Sequence, residues 1–351
     1  MLGFPFQLAN TELNLELVQI LFRHGDRTPR KKEISMDHHD ITIYEPWGLA
    51  QLTNVSTNYK YYENMSNSTS DHDRTKMSLQ LVLAGLYHPT SIQTWNKNLP
   101  WMPIPTYYMP EKVDDLLKPD FSPLYINAVK EARNTEDILQ KILPYKDLLK
   151  LLSEKTGLNI TTSNLAYEIY NQLAAKKAMN HLLPKWCTDE IYKKLQEIVN
   201  IEYEVRSYTP FLRRLNGGTI IKRFLDNIKI NEKRDRPRKI YLYSGHEVNI
   251  AAIVRALNLI EPELPPYGCA IIFEKLKDPN GRTFIRMLFW NGITEELKAY
   301  KIHGCDEICP IETYLDIVKD LLPSDEEVYH KWDHLSKEEL RELYEEIPNL
   351  N

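Results

Sequence analysis

Two guanidiniums and one imidazole stand within the heptapeptide Arg23-His24-Gly25-Asp26-Arg27-Thr28-Pro29. A guanidinium presents a planar fork of N–H donors that matches phosphate oxygens two at a time, which the point charge of a lysine does not. An imidazole between two such forks is suited to attack a bound phosphorus atom and carry the phosphoryl group covalently. The plainer account is a solvated basic turn, and an isolated pair of arginines at this spacing is usually no more than that. Here five defined residues stand in fixed order, and a chance match in a chain of this length is on the order of one in ten thousand. A second group, Ser244-Gly245-His246-Glu247, supplies another imidazole and a carboxyl group.

Both groups follow stretches that read as buried strands. Residues 16–22 are mostly apolar with β-branched members, interrupted by Gln19, and the chain then turns polar at once. Gly25 lets the backbone bend, and Pro29 fixes φ and stops the strand. Residues 239–243 form the second strand candidate, and it too ends in a glycine and a histidine. Residues 248–259 read as a helix, so His246 and Glu247 fall at a strand-to-helix turn whose free N–H groups favour an anion. Ligands of open α/β sheets bind beyond the carboxyl ends of parallel strands. If these strands are parallel neighbours, His24 and His246 face one phosphoryl group, which requires rings within about 8 Å of each other.

At 351 residues the chain can bury a large core, and its 42% apolar and 26% charged shares are those of an ordinary globular protein. A net charge of −5 argues against a nucleic-acid partner, and no apolar run approaches the roughly 20 residues of a membrane span. The four cysteines are Cys187, Cys269, Cys305 and Cys309, and the tight loop from Cys305 to Cys309 suits a local disulfide. A metal there lacks ligands beyond His303, so no metal is expected. The adjacent His38 and His39 read as part of a solvated loop. Four glycosylation sequons begin at Asn54, Asn64, Asn67 and Asn159, and the clustering of the first three marks that segment as exposed. Residues 1–14 do not read as a signal peptide. Either a leader is missing from the sequence or the chain is intracellular, and the cysteines and sequons favour the first.

The heptapeptide resembles the signature of the histidine acid phosphatases, branch 2 of the histidine phosphatase superfamily, and residues 244–247 are similar to their second motif. The similarity runs from about residue 15 to about residue 322, and the wording resembles that of secreted insect acid phosphatases, venom ones included. This resemblance implies an α/β fold with a central, mostly parallel sheet flanked by helices, like that of phosphoglycerate mutase. It implies hydrolysis of phosphomonoesters through a phosphohistidine on His24, with Arg23, Arg27 and His246 binding phosphate and Glu247 donating the proton. Glutamate stands where the family usually has aspartate, keeping the acid and lengthening its reach by one methylene. A carboxyl group with an ordinary pKa near ~4.3 must be protonated to act as an acid, so an acidic optimum is expected. No cofactor is implied; the partner is a small phosphomonoester, and a homodimer is admitted. The resemblance also implies disulfides Cys305–Cys309 and Cys187–Cys269 and a secreted or lysosomal address.

The resemblance breaks after residues 47–53, which are similar to the family's lead into its first helix. The family next has a long helix and a strand, whereas residues 54–70 here are polar, rich in sequons and without helical periodicity. Residues 71–78 rejoin the pattern, but the phosphate-binding arginine expected three residues before Asp71 is Ser68. Arg74 is a candidate to stand in for it, although it matches another family position for which structural contacts are the expected role. The alternative to an active enzyme is therefore a catalytically impaired secreted glycoprotein of the same fold.

Further along, residues 77–87 read as an apolar helix. Residues 112–214 are mostly helical, with stripes such as Leu139, Ile142, Leu143, Leu148, Leu149 and Leu152 expected in a core and split at Pro144. They read as an all-helical cap (112–214) inserted into an α/β core formed by 1–111 and 215–351. Residues 270–275 and 283–290 suggest a hairpin, residues 311–322 a helix, and 337–346 a last helix with a capping box at Ser336.

Overall fold

The computed structural model describes residues 13–29, 65–90, 93–94, 96–259, 263–294 and 296–329, with Ser336 and Glu338. In chain order its elements are β1 (Asn14–Arg23), β2 (Met65–Ser70), α1 (Asp73–Leu86) and β3 (Tyr108–Met109). A helical run follows: α2 (Pro123–Arg133), α3 (Glu136–Ile142), α4 (Lys146–Thr156), α5 (Ser163–Ala178) and α6 (Asp189–Val205). Then come α7 (Thr219–Glu232), β4 (Ile240–Gly245), α8 (Glu247–Ala256), β5 (Ala270–Lys277), β6 (Thr283–Trp290), β7 (Leu297–Ala299), β8 (Ile308–Pro310) and α9 (Ile311–Val318).

β1 owes its central place to the alternation of its side chains. Leu17 and Leu21 point into a core with Ile220, Phe224, Ile250 and Ile253 of α7 and α8. Phe22 joins the opposite core with Leu79 and Leu83 of α1. A strand buried on both faces leaves its polar residue no water, and Gln19 is satisfied internally. Its amide donates to the Phe224 carbonyl at 2.8 Å and its oxygen accepts from Asn227 at 2.7 Å. The sheet is mixed, in the order β3-β2-β4-β1-β5-β6-β7 with β8 beside β6. β3, β2, β4 and β1 are parallel, and antiparallel strands extend the other edge through the β5–β6 hairpin. Helices cover both faces, so the α/β class expected from the resemblance is the one observed.

The π-helical turn Arg214–Gly218, which runs into α7, lies backbone against α8. A Cβ added at Gly217 would lie 2.3 Å from the Ala252 carbonyl oxygen, so only glycine fits there. The helical run between β3 and β4 has cores of its own, one built from Leu148, Leu152, Ile169, Leu173, Leu195 and Ile198. It also buries Glu202, whose carboxylate pairs with Arg133 at 2.8 Å and Arg206 at 3.2 Å and accepts from Ser163.

Several expectations are corrected. Residues 65–70 are not an exposed loop but strand β2, inserted between β3 and β4. Its sequence shows no apolar alternation because polar bonds hold its side chains, Asn67 Nδ2 donating to the Pro105 carbonyl at 3.1 Å. Asn67 is 6% exposed, so its sequon has no room for a glycan in the folded chain. Asn159 lies exposed between α4 and α5. Cys305 and Cys309 are bonded as expected, whereas Cys187 and Cys269 are free thiols in two different cores. Burial pushes their pKa values up, to about 11 and about 12, which leaves them unreactive. Leu139 and Leu143 are exposed, because the chain breaks at Leu143–Tyr145 and Ile138 takes the inward position on α3. Asn54, Asn64, His38, His39, residues 47–53 and most of the expected last helix lie outside the described residues.

Candidate active site

β1 and β4 are parallel neighbours paired in register, with Arg23 opposite Gly245, so both motifs leave the sheet at the same edge. The His24 amide donates to the Gly245 carbonyl at 3.1 Å, and the Arg23 amide to the Cys269 carbonyl at 2.9 Å. These bonds hold the first motif to the strands on either side. Gly245 leaves room for Asn249, whose Oδ1 accepts from the His246 amide at 2.9 Å and fixes the start of α8. The His24 and His246 rings end up edge to face with centroids 5.5 Å apart. One phosphoryl group spans that distance.

The hydrogen bonds decide which ring nitrogen is nucleophilic. His24 Nδ1 lies 2.7 Å from the Gly25 carbonyl oxygen, which can only accept, so Nδ1 carries the proton and Nε2 the lone pair. Burial, reinforced by the charges of Arg74, Arg23 and Arg27, holds the His24 pKa well below the ordinary histidine range. The imidazole is therefore neutral, the form a nucleophile needs. His246 is likewise held neutral by burial and by Arg74 and Lys118. Its Nε2 donates to Ser70 Oγ at 2.8 Å, which leaves Nδ1 to accept from Arg74.

Arg74, the candidate stand-in for which the sequence favoured structural contacts, lies between the two imidazoles. It sits on the first turn of α1, only 6% exposed, with Nε 3.1 Å from His24 Nε2 and Nη2 3.4 Å from His246 Nδ1. One guanidinium thus bridges the two imidazoles. α1 starts at Asp73 rather than at Met77 because its first turn is polar and breaks no apolar pattern. Ser68, where the lost arginine was expected, pairs with Tyr243 inside β2. It shares a strand face with Ser70, the residue bonded to His246.

Glu247 opens α8, and Arg23 Nε lies 3.3 Å from its carboxylate. Tyr167 reaches in from α5, donating its hydroxyl to Glu247 Oε1 at 2.6 Å. Burial alone would raise the Glu247 pKa, but Arg23, with the Tyr167 hydroxyl and Arg27, outweighs it and holds the carboxyl well below its usual range. Arg23 is further fixed by the Pro265 carbonyl at 2.6 Å and by the Tyr267 ring, 3.9 Å from its guanidinium carbon. Tyr167 and Tyr267 carry no sequence signal, since each meets the site only through tertiary packing. Arg27 is 3% exposed, with Nη1 3.1 Å from the Thr28 carbonyl. Ligand atoms of His24, His246 and Glu247 lie within 4.8 Å of one another, close enough for a cation. Three guanidiniums act on the same spot, and that field selects an anion.

Comparison with known proteins gives the family of the chain. Residues 42–290 match the histidine phosphatase superfamily (branch 2). The chain is 32% identical over 346 residues to venom acid phosphatase Acph-1 of Apis mellifera, covering 92% of this chain and 89% of the relative. It is 30% identical over 337 residues to lysosomal acid phosphatase of Xenopus laevis, covering 89% and 77% of the two chains. The fold is similar to that of Klebsiella sp ASR1 phytase, with a TM-score of 0.64 at 14% identity over 90% of this chain and 99% of the phytase. On its sequence and its fold alike, the chain belongs to branch 2 of the histidine phosphatase superfamily.

Proposed function

We propose that this protein is an acid phosphatase that hydrolyses phosphomonoesters in two steps through a phosphohistidine on His24. The observation that carries this reading is the neutral His24, its Nε2 lone pair beside Arg74 and its ring 5.5 Å from that of His246. A phosphate entering between the rings exchanges the Arg74–His24 bond for one to a phosphate oxygen and frees Nε2 to attack in line. Arg27, Arg74 and His246 take the equatorial oxygens, and Arg23 stands behind Glu247. The two negative charges of the phosphate lower the cost of protonating Glu247, which then gives its proton to the leaving alkoxide. As carboxylate it next removes a proton from water, which attacks phosphorus and releases His24. The helical run 112–214, read as an inserted cap, contributes Tyr167 to this step.

Arg74 weighs against the impaired-enzyme alternative, because it brings a third guanidinium to the imidazoles from α1, where Ser68 on β2 brings none. The Cys305–Cys309 disulfide and the names of the relatives support a secreted or lysosomal location. The test is hydrolysis of p-nitrophenyl phosphate near pH 5. It is paired with labelled phosphoester and an alkaline quench, which phosphohistidine survives. Label on His24 is expected, and normal turnover with no label ever caught there would overturn the reading.

A pH prediction follows from Tyr167. Its hydroxyl favours the charged form of Glu247, so Tyr167→Phe raises that pKa, by about one unit. The acid form then persists to higher pH, and the alkaline limb of kcat moves upward by the same amount. Poor alkyl leaving groups should show the shift more clearly than p-nitrophenolate, and an unmoved limb would remove Tyr167 from this role.

A further inference from the structure

Beside the imidazole pair stands a cluster whose charge acts on His246 but to which the steps above give no contact with the substrate. His72 precedes α1, and its ring lies edge to face against His246 with centroids 5.1 Å apart. Its Nδ1 is 2.7 Å from Glu111, and Lys118 Nζ is 3.1 Å from its Nε2 and 3.6 Å from the same carboxylate. An ammonium only donates, so Nε2 accepts and Nδ1 carries the proton, close to the Glu111 carboxylate. His72 is thereby locked as a strut between an acid and a base. The turn carrying Lys118 is fixed as well. Asp114 Oδ1 accepts from the Leu116 and Leu117 amides, and the Leu117 carbonyl accepts from Asn249, which also holds the His246 amide. The side chains of His72, Glu111 and Lys118 are 22%, 28% and 16% exposed, so the cluster is open to solvent rather than part of the core.

We propose that Lys118, held by His72, is a subsite for a second anionic group on the substrate, so that the protein prefers phosphomonoesters whose leaving group carries a neighbouring phosphate or carboxylate. This rests on the phosphatase reading and adds a substrate class to it. A phosphate between the imidazoles has His246 at its side; the His72 ring adjoins His246, and the Lys118 ammonium adjoins His72. An acidic group a few bonds from the reacting phosphorus meets that ammonium. Glu111 competes with it for the same charge, which limits the subsite's strength and makes it sensitive to substitution.

The test compares three alkyl phosphates with similar carbon skeletons: glycerol 3-phosphate, 3-phosphoglycerate and 2,3-bisphosphoglycerate, with p-nitrophenyl phosphate as the reference. The wild type should favour the two glycerates, which carry further acidic groups, over glycerol 3-phosphate in kcat/KM, and the step from 3-phosphoglycerate to 2,3-bisphosphoglycerate reads the effect of an added phosphate. Lys118→Met should lower kcat/KM for these two by about five- to tenfold while glycerol 3-phosphate changes by less than about threefold. Glu111→Gln keeps Lys118 and should act oppositely, raising both glycerates by about threefold. Equal effects on all substrates, no gain in Glu111→Gln, or no wild-type preference would overturn the subsite while leaving the phosphatase reading intact. Failure of the wild type on p-nitrophenyl phosphate would instead sink the phosphatase reading itself.

Discussion

Substituting alanine for His24 is expected to reduce turnover of p-nitrophenyl phosphate on the order of 10⁴-fold or more, because the group that forms the covalent bond is gone. Phosphate binding should change far less, since Arg27, Arg74 and His246 remain. The substitution removes a neutral ring rather than a buried charge, so the fold should survive it. Inhibition by inorganic phosphate, followed by protection against thermal unfolding, reports the retained pocket in the silent variant. A His24→Ala protein that keeps even a few per cent of wild-type kcat would show that phosphorus is attacked by something else.

Replacing Arg74 by alanine is the second large effect. The guanidinium touches both imidazoles, and removing one such charge-assisted clamp costs about 3 kcal/mol of transition-state stabilisation, roughly 100-fold in kcat/KM. A second readout separates this role from simple support of the fold. After burial, Arg74 is the foremost cause of the lowered His24 pKa, so its loss moves that pKa upward. Since the protonated ring cannot attack, the acid limb of the pH profile should also move to higher pH. Arg74→Lys keeps the charge but not the fork, and should restore the limb more fully than the rate. A 100-fold loss with no movement of the acid limb would mean that Arg74 acts only through packing.

Much of this site was legible in the sequence, and the reasons for the gaps are physical. β1, β4, the β5–β6 hairpin and the start of α8 announced themselves because strands buried on both faces leave apolar runs, and glycine and proline punctuate them. Arg23, His24, Arg27, His246 and Glu247 stood out because a phosphate pocket needs those types beside one another. β2 was hidden because a strand held by side-chain hydrogen bonds need not be apolar, and Asn67 was read as a surface sequon for the same reason. Arg74 was visible as a candidate but not placed, because its family position and its polar first turn both suited a structural role. The pairing of Cys187 with Cys269 failed because resemblance carries a bridge over without testing whether the two cores meet. Tyr167 was beyond reach, since nothing local distinguishes a tyrosine on a helix from one aimed at a carboxylate in another layer.

The adjacency of β1 and β4 also governs when the pocket comes into being. His24 is synthesised more than two hundred residues before His246, and the strand that delivers the second histidine docks beside the first only after the intervening helices exist. A nascent chain therefore holds no phosphate-binding pocket for most of its time on the ribosome, and such distant pairings also slow folding. Phosphate cannot nucleate this structure. It can only hold together what has already closed, acting as a late chaperone for the finished chain.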